Sequence, residues 1–256
     1  MNKTNDSPAN KPANKSANKR VTDTTVTDSM TRVLITGSSG FIGRHLIAHL
    51  NKNKTIDPIP LYRKDLADQD IYALAEQFKK GDILIHLAGR AHQFGSAAEA
   101  KHDYRRDNVE LTQRVAEAAI EAGLKKIVFL STIAVHGQTA TPDQPITEKS
   151  PIIADDPYSQ SKWQAEKTLK TLAEGTATDT VILRPPLVIG EGAPGNIQRI
   201  ISLLNKGIPI PLASINNKRS VIGTEALCKA IEAALLQPGL SDQTFVVAES
   251  TPLSTP

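Results

Sequence analysis

The 256-residue sequence has a single cysteine, Cys228, so no disulfide can form within the chain. That suits a reducing compartment, and the cytoplasm is the expected location. Aromatic residues make up 4% of the chain against 39% apolar residues in all, so aliphatic side chains must fill the core. No apolar run approaches the length of a membrane span, and neither a transmembrane helix nor a membrane partner is expected. An excess of either charge is lacking as well. The formal net charge is +3, and residues 1–29 hold five basic side chains against three acidic ones, which leaves the body from Met30 onward at +1. A near-neutral body carries no electrostatic footprint for nucleic acid. A metal site is not expected either: His45 and His49 stand at helical spacing, but their helix has no acidic base, and they are read as solvated.

Residues 1–29 have no aromatic, Leu or Ile and repeat a short ANK-type unit. They read as a disordered polar tail, and no stretch within them is long and apolar enough for a secretion signal. From Arg32 the pattern alternates. RVLIT is a short β-branched run, GSSGFIG breaks it, and FIGRHLIAHL follows with Ile42, Leu46 and Leu50 at helical spacing. DPIPLYR is extended, but Pro58 and Pro60 make it a poor central strand. DIYALAEQF and NVELTQRVAEAAIEAG read as helices, the second ending at Gly123; DILIHLAG, KIVFLST and TVILRPP read as strands, and YSQSKWQAEKTLKTLAEG as a helix. Strands that are apolar throughout, separated by helices, indicate a doubly wound α/β fold with a parallel sheet, Rossmann-like, whose ligands sit at the carboxyl ends of the strands. Residues 30–185 are expected to form the dinucleotide-binding domain and 186–256 a smaller, incomplete substrate portion. That portion would hold the loop GEGAPGN, helices over IQRIISLLNKG and TEALCKAIEAALLQPG, with Cys228 buried in the latter, and a late strand, TFVVAE. The ending LSTP reads as the start of a further helix, so the chain is expected to be truncated.

TGSSGFIG places Gly37, Gly40 and Gly43 between a strand and a helix. A dinucleotide pyrophosphate needs this: backbone must approach without a Cβ, and helix N-terminal amides then face the anion. Following it are HLAG at 86–89, Asn108 in DNVELT, STIAVHG, YSQSK and LRPP. In this order the six elements resemble the extended short-chain dehydrogenase/reductases, in their NAD-dependent epimerase/dehydratase branch. RPPLVIG, GN and NKRSVI are similar to UDP-sugar 4-epimerases and to bacterial 4-keto-sugar reductases of surface-polysaccharide pathways.

The resemblance implies that Gly37, Gly40, Phe41, Ile42 and Gly43 hold the pyrophosphate. It places Asp65 and Leu66 near adenine, Leu87, Ala88 and Gly89 near the ribose, and Pro185 beside the cofactor, with Asn108 both serving the cofactor and bracing the central strands. The cofactor's 2′ position is read at the end of the second strand, where a basic residue pairs with the phosphate of NADP. PLYRKD offers Arg63 and Lys64 before Asp65, so NADP(H) is favoured over NAD(H).

Tyr158 and Lys162 share one helix face. The resemblance makes Tyr158 the acid/base for a sugar hydroxyl, with Lys162 keeping it reactive and holding the nicotinamide ribose, and Thr132 orienting the same oxygen. Bringing a tyrosine from about 10 to neutrality needs about 4 kcal/mol, which one cation about 4 Å away can supply at an effective dielectric of about 20. Family dehydratases follow this Thr with Asp-Glu; Ile133 and Ala134 stand there and cannot move a proton, so dehydration is not expected. Hydride transfer at C4 of a UDP-hexose or UDP-N-acetylhexosamine remains, as an epimerase or a reductase. Asn196 and Arg219 match positions that contact the nucleotide diphosphate. Leu187 and His136 replace a common asparagine and tyrosine. A non-catalytic NAD(P)-binding relative is the alternative, and a homodimer is a possible assembly.

Overall fold

A computed structural model of the protein describes residues 30–66, 69–79, 81–91, 97–137, 144–194, 203, 205–207 and 219–253. Six parallel strands form the main sheet: β1 (Thr31–Thr36), β2 (Ile56–Leu61), β3 (Ile83–His86), β4 (Lys126–Leu130), β5 (Asp179–Arg184) and β8 (Gln243–Val246), in the order β2-β1-β3-β4-β5-β8. The chain leaves β1 toward β2 and returns on the other side of β1 as β3. This reversal opens a crevice at the carboxyl ends of β1 and β3, where a doubly wound sheet takes its ligand.

The interiors of β1, β3, β4 and β5 are buried on both faces, as the continuous apolar runs require, while the edge strands β2 and β8 are only partly covered. Val33, Ile35, Ile85, Val128, Val181 and Leu183 face one layer, made by α1 (Phe41–Leu50) and α7 (Thr224–Leu236) through Leu46, Leu50, Leu227 and Ile231. Cys228 is buried in that layer. Leu34, Leu84, Ile127, Phe129 and Ile182 face the other, made by α3 (Ile71–Phe78), α5 (Leu111–Glu121) and α6 (Pro157–Ala173) through Leu74, Phe78, Val115 and Leu169. Two short helices, α2 (Arg63–Leu66) and α4 (Ala97–Tyr104), complete the described helical set with a π-helical turn, Arg105–Glu110, and a 3-10 turn, Ile133–His136.

DPIPLYR does form a strand, and its prolines explain its place. Thr31 donates to the Thr55 carbonyl, so residues 55, 57, 59 and 61 turn their backbone toward β1. Pro58 and Pro60 have the other parity, so their missing amides fall on the open edge, where no ladder bond is lost and further strands cannot pair. After Pro185 the chain serves two ends. α7 and β8 complete the main layers, whereas β6 (Leu187–Ile189) and β7 (Val221–Gly223) pair with each other in a separate small sheet. Most of IQRIISLLNKG and the last residues of LSTP lie outside the described residues.

Candidate active site

The glycine loop is built by close approach. Gly37 has φ +70°, and a Cβ there would lie 2.7 Å from the Ala88 nitrogen; at Gly43 it would lie 2.2 Å from the Gly37 carbonyl oxygen. Both contacts are with backbone and cannot yield, so neither position admits a side chain. Gly40 is the N-cap of α1 and offers no side-chain cap, so the first amides of the helix, at Phe41 and Ile42, keep their donors for an anion. Leu87, Ala88 and Gly89 follow β3 directly across the crevice. A pyrophosphate fits this cradle: it supplies the negative charge, and the glycines leave it room.

At the end of β2, Asp65 turns its carboxylate back onto the Tyr62 amide at 2.7 Å. Arg63 and Lys64 are exposed, and among the described residues neither makes an ion pair. Leu66 is buried against α3 and α5, so its side chain belongs to the core.

Local sequence places the tyrosine. Asp156 caps α6 by accepting from the amides of Tyr158 and Ser159, at 2.9 and 3.0 Å, while Ser159 returns a bond to the Asp156 amide. Pro157 fits the first helical position, where no donor is needed. Tyr158 therefore emerges in the first turn, and Lys162 lies one turn deeper, buried. Thr132 caps the Ile133–His136 turn by accepting from the Ala134 amide at 3.2 Å. Its hydroxyl hydrogen is then available, and the hydroxyl stands close enough to the Tyr158 phenol to favour its ionised form. Pro185 is brought beside this turn because the β4–β5 pairing runs on: the Ile133 amide donates to the Pro185 carbonyl at 2.9 Å.

Burial decides the electrostatics. It pushes the Tyr158 phenol up to about 12, against a lowering by the Thr132 hydroxyl and with a further rise from Tyr104 and Asp156. Burial also pushes the Lys162 ammonium down to about 7, with Glu166 pulling it back up. Lys162 Nζ rests 4.1 Å from the centroid of Phe129. Desolvation of the phenol thus outweighs its other influences, and burial weakens the charge that Lys162 brings to its side.

Beneath these residues lies a buried ion pair that the sequence reading missed. Glu166 sits one turn beyond Lys162 and accepts from Arg184 Nε at 3.0 Å, from Arg184 Nη2 and from the Ser131 hydroxyl. Arg184 Nη1 donates to His136 Nε2 at 2.9 Å, and His136 Nδ1 donates to the Pro151 carbonyl. The i, i+4 spacing of Lys162 and Glu166 and a charge at the end of the apolar run VILR were the available signals. His136 takes its place by carrying a guanidinium rather than by facing the crevice.

Two further assignments change. His45 and His49 are not solvated: both are half-buried, His45 bonding the Glu191 carbonyl at 2.9 Å and His49 pairing with Glu232 at 2.7 Å. They bind α1 to the loop after β6 and to α7, and no group of described residues could hold a metal ion. Arg219 is exposed, and its backbone pairs antiparallel with Leu253, at 2.8 and 2.9 Å. Asn196 lies outside the described residues.

A model of the NAD dependent epimerase/dehydratase family matches residues 33–248. The chain belongs to this family. It is 32% identical over 87% of its length to a UDP-glucose 4-epimerase of Vibrio cholerae, spanning 72% of that enzyme. It is 28% identical over 75% of its length to a UDP-2-acetamido-2,6-beta-L-arabino-hexul-4-ose reductase of Pseudomonas aeruginosa, spanning 45% of that one. The fold is similar to that of UDP-glucuronic acid 4-epimerase from Bacillus cereus in complex with NAD, with TM-score 0.76, 20% identity, and coverage of 88% and 80% of the two chains. No described helix is long and apolar enough to cross a membrane.

The lysine supplies a pH test. Its folded value lies below that of an unfolded lysine, so the unfolded chain binds more protons between about 7 and 10.5 and stability rises with pH across that window. Lys162→Met should raise the melting temperature at pH 7, by a change on the order of a few kcal/mol, and flatten the rise measured from pH 7 to 10. A parallel pH dependence in both proteins would assign the rise to other groups.

Proposed function

We propose that the chain transfers hydride at C4 of a UDP-hexose or UDP-N-acetylhexosamine, as a 4-epimerase or a 4-keto-sugar reductase. The observation that carries this reading is the grouping of Thr132, Tyr158 and Lys162 at the carboxyl ends of β4 and β5, with Ile133 and Ala134 where a dehydratase needs its acid and base. Similarity to the V. cholerae 4-epimerase supports the substrate class.

A bound nicotinamide would accept hydride from the sugar carbon or donate it. The chain's residues do the rest. The cradle from Gly37 to Gly43 orients the dinucleotide through backbone amides. Tyr158 moves the proton of the C4 hydroxyl, and Thr132, whose hydroxyl stands beside the phenol, aligns that oxygen. Lys162, desolvated over Phe129, faces the crevice as a cation that a ribose hydroxyl would bond. Arg219 and Asn196 are assigned to the diphosphate. Leu187, exposed on β6, would offer the sugar an apolar contact in place of an amide.

Removing only the acid/base should separate binding from chemistry. Tyr158→Phe should keep nicotinamide affinity within about twofold and lower turnover of UDP-glucose or UDP-N-acetylglucosamine by at least about a hundredfold, the scale of one general acid/base. Equal turnover in variant and parent would overturn the mechanism.

We assign the 2′ end of the cofactor to Arg63 and Lys64, which are exposed at the end of β2, while one carboxylate oxygen of Asp65 is engaged by the Tyr62 amide. This favours NADP(H), whereas the B. cereus relative holds NAD. Calorimetric titration of Arg63→Ala should show a loss for NADPH several-fold larger than for NADH. Parallel losses would make Arg63 a bystander and leave the 2′ hydroxyl to be read elsewhere.

A further inference from the structure

A continuous chain of hydrogen bonds runs under the crevice from the glycine loop to the catalytic helix, and a buried histidine stands at its centre. The Ala88 amide donates to Thr36 Oγ1 at 3.2 Å. Thr36 Oγ1 lies 2.6 Å from His86 Nδ1, and His86 Nε2 lies 3.0 Å from Thr112 Oγ1. Thr112 donates its single hydroxyl hydrogen to the Asn108 carbonyl. The Asn108 side chain accepts from the Arg90 amide at 2.7 Å and donates to the Arg90 carbonyl and to Ser161 Oγ, at 3.0 and 2.8 Å. Ser161 Oγ donates to the Tyr158 carbonyl at 2.7 Å.

The donors fix the tautomer. Thr112 has spent its hydrogen, so toward His86 it can only accept, and Nε2 must carry the proton. The ring is fully buried with Phe129 stacked 5.5 Å away and Lys162 nearby, and burial together with that cation pushes it down to about 3, so it is neutral. Nδ1 is then bare, and Thr36 must donate to it. No bond in the chain can reverse without leaving a buried group unpaired, and leaving one unpaired costs about 1–3 kcal/mol.

We propose that His86 is a positioning residue: as the neutral Nε2–H tautomer it ties β1, which carries the glycine loop, to the π-helical turn at Asn108, and so sets the dinucleotide cradle relative to the helix of Tyr158 and Lys162. The role rests on the proposed function. Its two halves serve different ends. The Thr36 side holds the Ala88 amide beside Gly37, where the cofactor would lie. The Thr112 side holds Asn108, which clamps both backbone groups of Arg90 and the first turns of α6.

Two half-isosteres separate these ends. His86→Asn can still accept from Thr36 but no longer reaches Thr112; it should lower kcat about tenfold and leave nicotinamide Kd within about twofold. His86→Gln can still donate to Thr112 but leaves Thr36 without an acceptor; it should raise nicotinamide Kd about tenfold and leave kcat within about twofold. Parallel changes in both variants, or none, would reduce His86 to core packing and overturn the proposal. Should these variants fail to fold, Thr112→Val should lower kcat about tenfold and Thr112→Ser should restore it; failure of serine to restore it would count against the relay. Nitrogen-15 NMR of the parent protein gives a reading that needs no turnover: His86 should show a protonated Nε2 and a bare Nδ1 from pH 5 to 8. An imidazolium or an Nδ1–H tautomer would overturn the proposal even where the sugar chemistry stands, and the expected spectrum would survive even where that chemistry fails.

Discussion

The site depends on how closely β1 and β3 approach beyond their last paired residues. Thr36 and His86 end the two strands in register, and the turn at Gly37 then meets the backbone of Leu87 and Ala88 so tightly that no side chain fits between. The consequences spread from that contact. The uncapped start of α1 points across the crevice, β3 delivers Ala88 and Gly89 to its far wall, and the same strand ends place Thr36 and His86 side by side under it. An interior at organic-crystal density has no slack for these groups to drift.

Around the crevice the protein has surrounded its reactive groups with low dielectric instead of balancing them with charge. Lys162 sits on an aromatic ring, with Glu166 one turn away committed to Arg184. The arginine carries His136 on its other side, so this buried ion pair is closed upon itself. Removing one partner of such a pair costs about 3–5 kcal/mol because the other charge is left buried. The pair therefore acts as a foundation: Ser131 and Pro185, which flank it along β4 and β5, hold Thr132 in place. Above it, burial raises the tyrosine phenol and lowers the lysine ammonium from their ordinary values. A positive nicotinamide ring is the kind of group that would reverse the first tendency, by favouring the phenolate, while deepening the second.

The fold was legible because apolar runs and glycine breaks are local signals, and all but one of the expected strands needed nothing more. DPIPLYR was harder, since only the sheet order shows that its prolines lie on an outer edge. Gly37, Gly40, Gly43, Tyr158 and Lys162 could be read from spacing because a loop and a helix turn fix them. Glu166, Arg184, His86 and Thr112 could not: each is polar, fully or almost fully buried, and defined by partners that are 18 to 50 residues away or on another element. His45 and His49 failed in the opposite sense. Their helix was seen, but not the loop and the helix that pack over it, so two structural histidines looked like surface ones. Asp65 stands between these cases: it adjoins Arg63 and Lys64 in sequence, but its bond to the Tyr62 amide is seen only in the fold.

The central claim is that the protein alone holds Tyr158 protonated and that the oxidised cofactor activates it. Carbon-13 NMR of labelled tyrosine, titrated with pH in the presence and absence of saturating oxidised nicotinamide dinucleotide, measures this directly. Without the dinucleotide the Tyr158 signal should titrate at about 12, and with it the midpoint should fall by at least about two units. A midpoint at or below 10 in the protein alone, or one that does not move when the dinucleotide binds, would contradict the account.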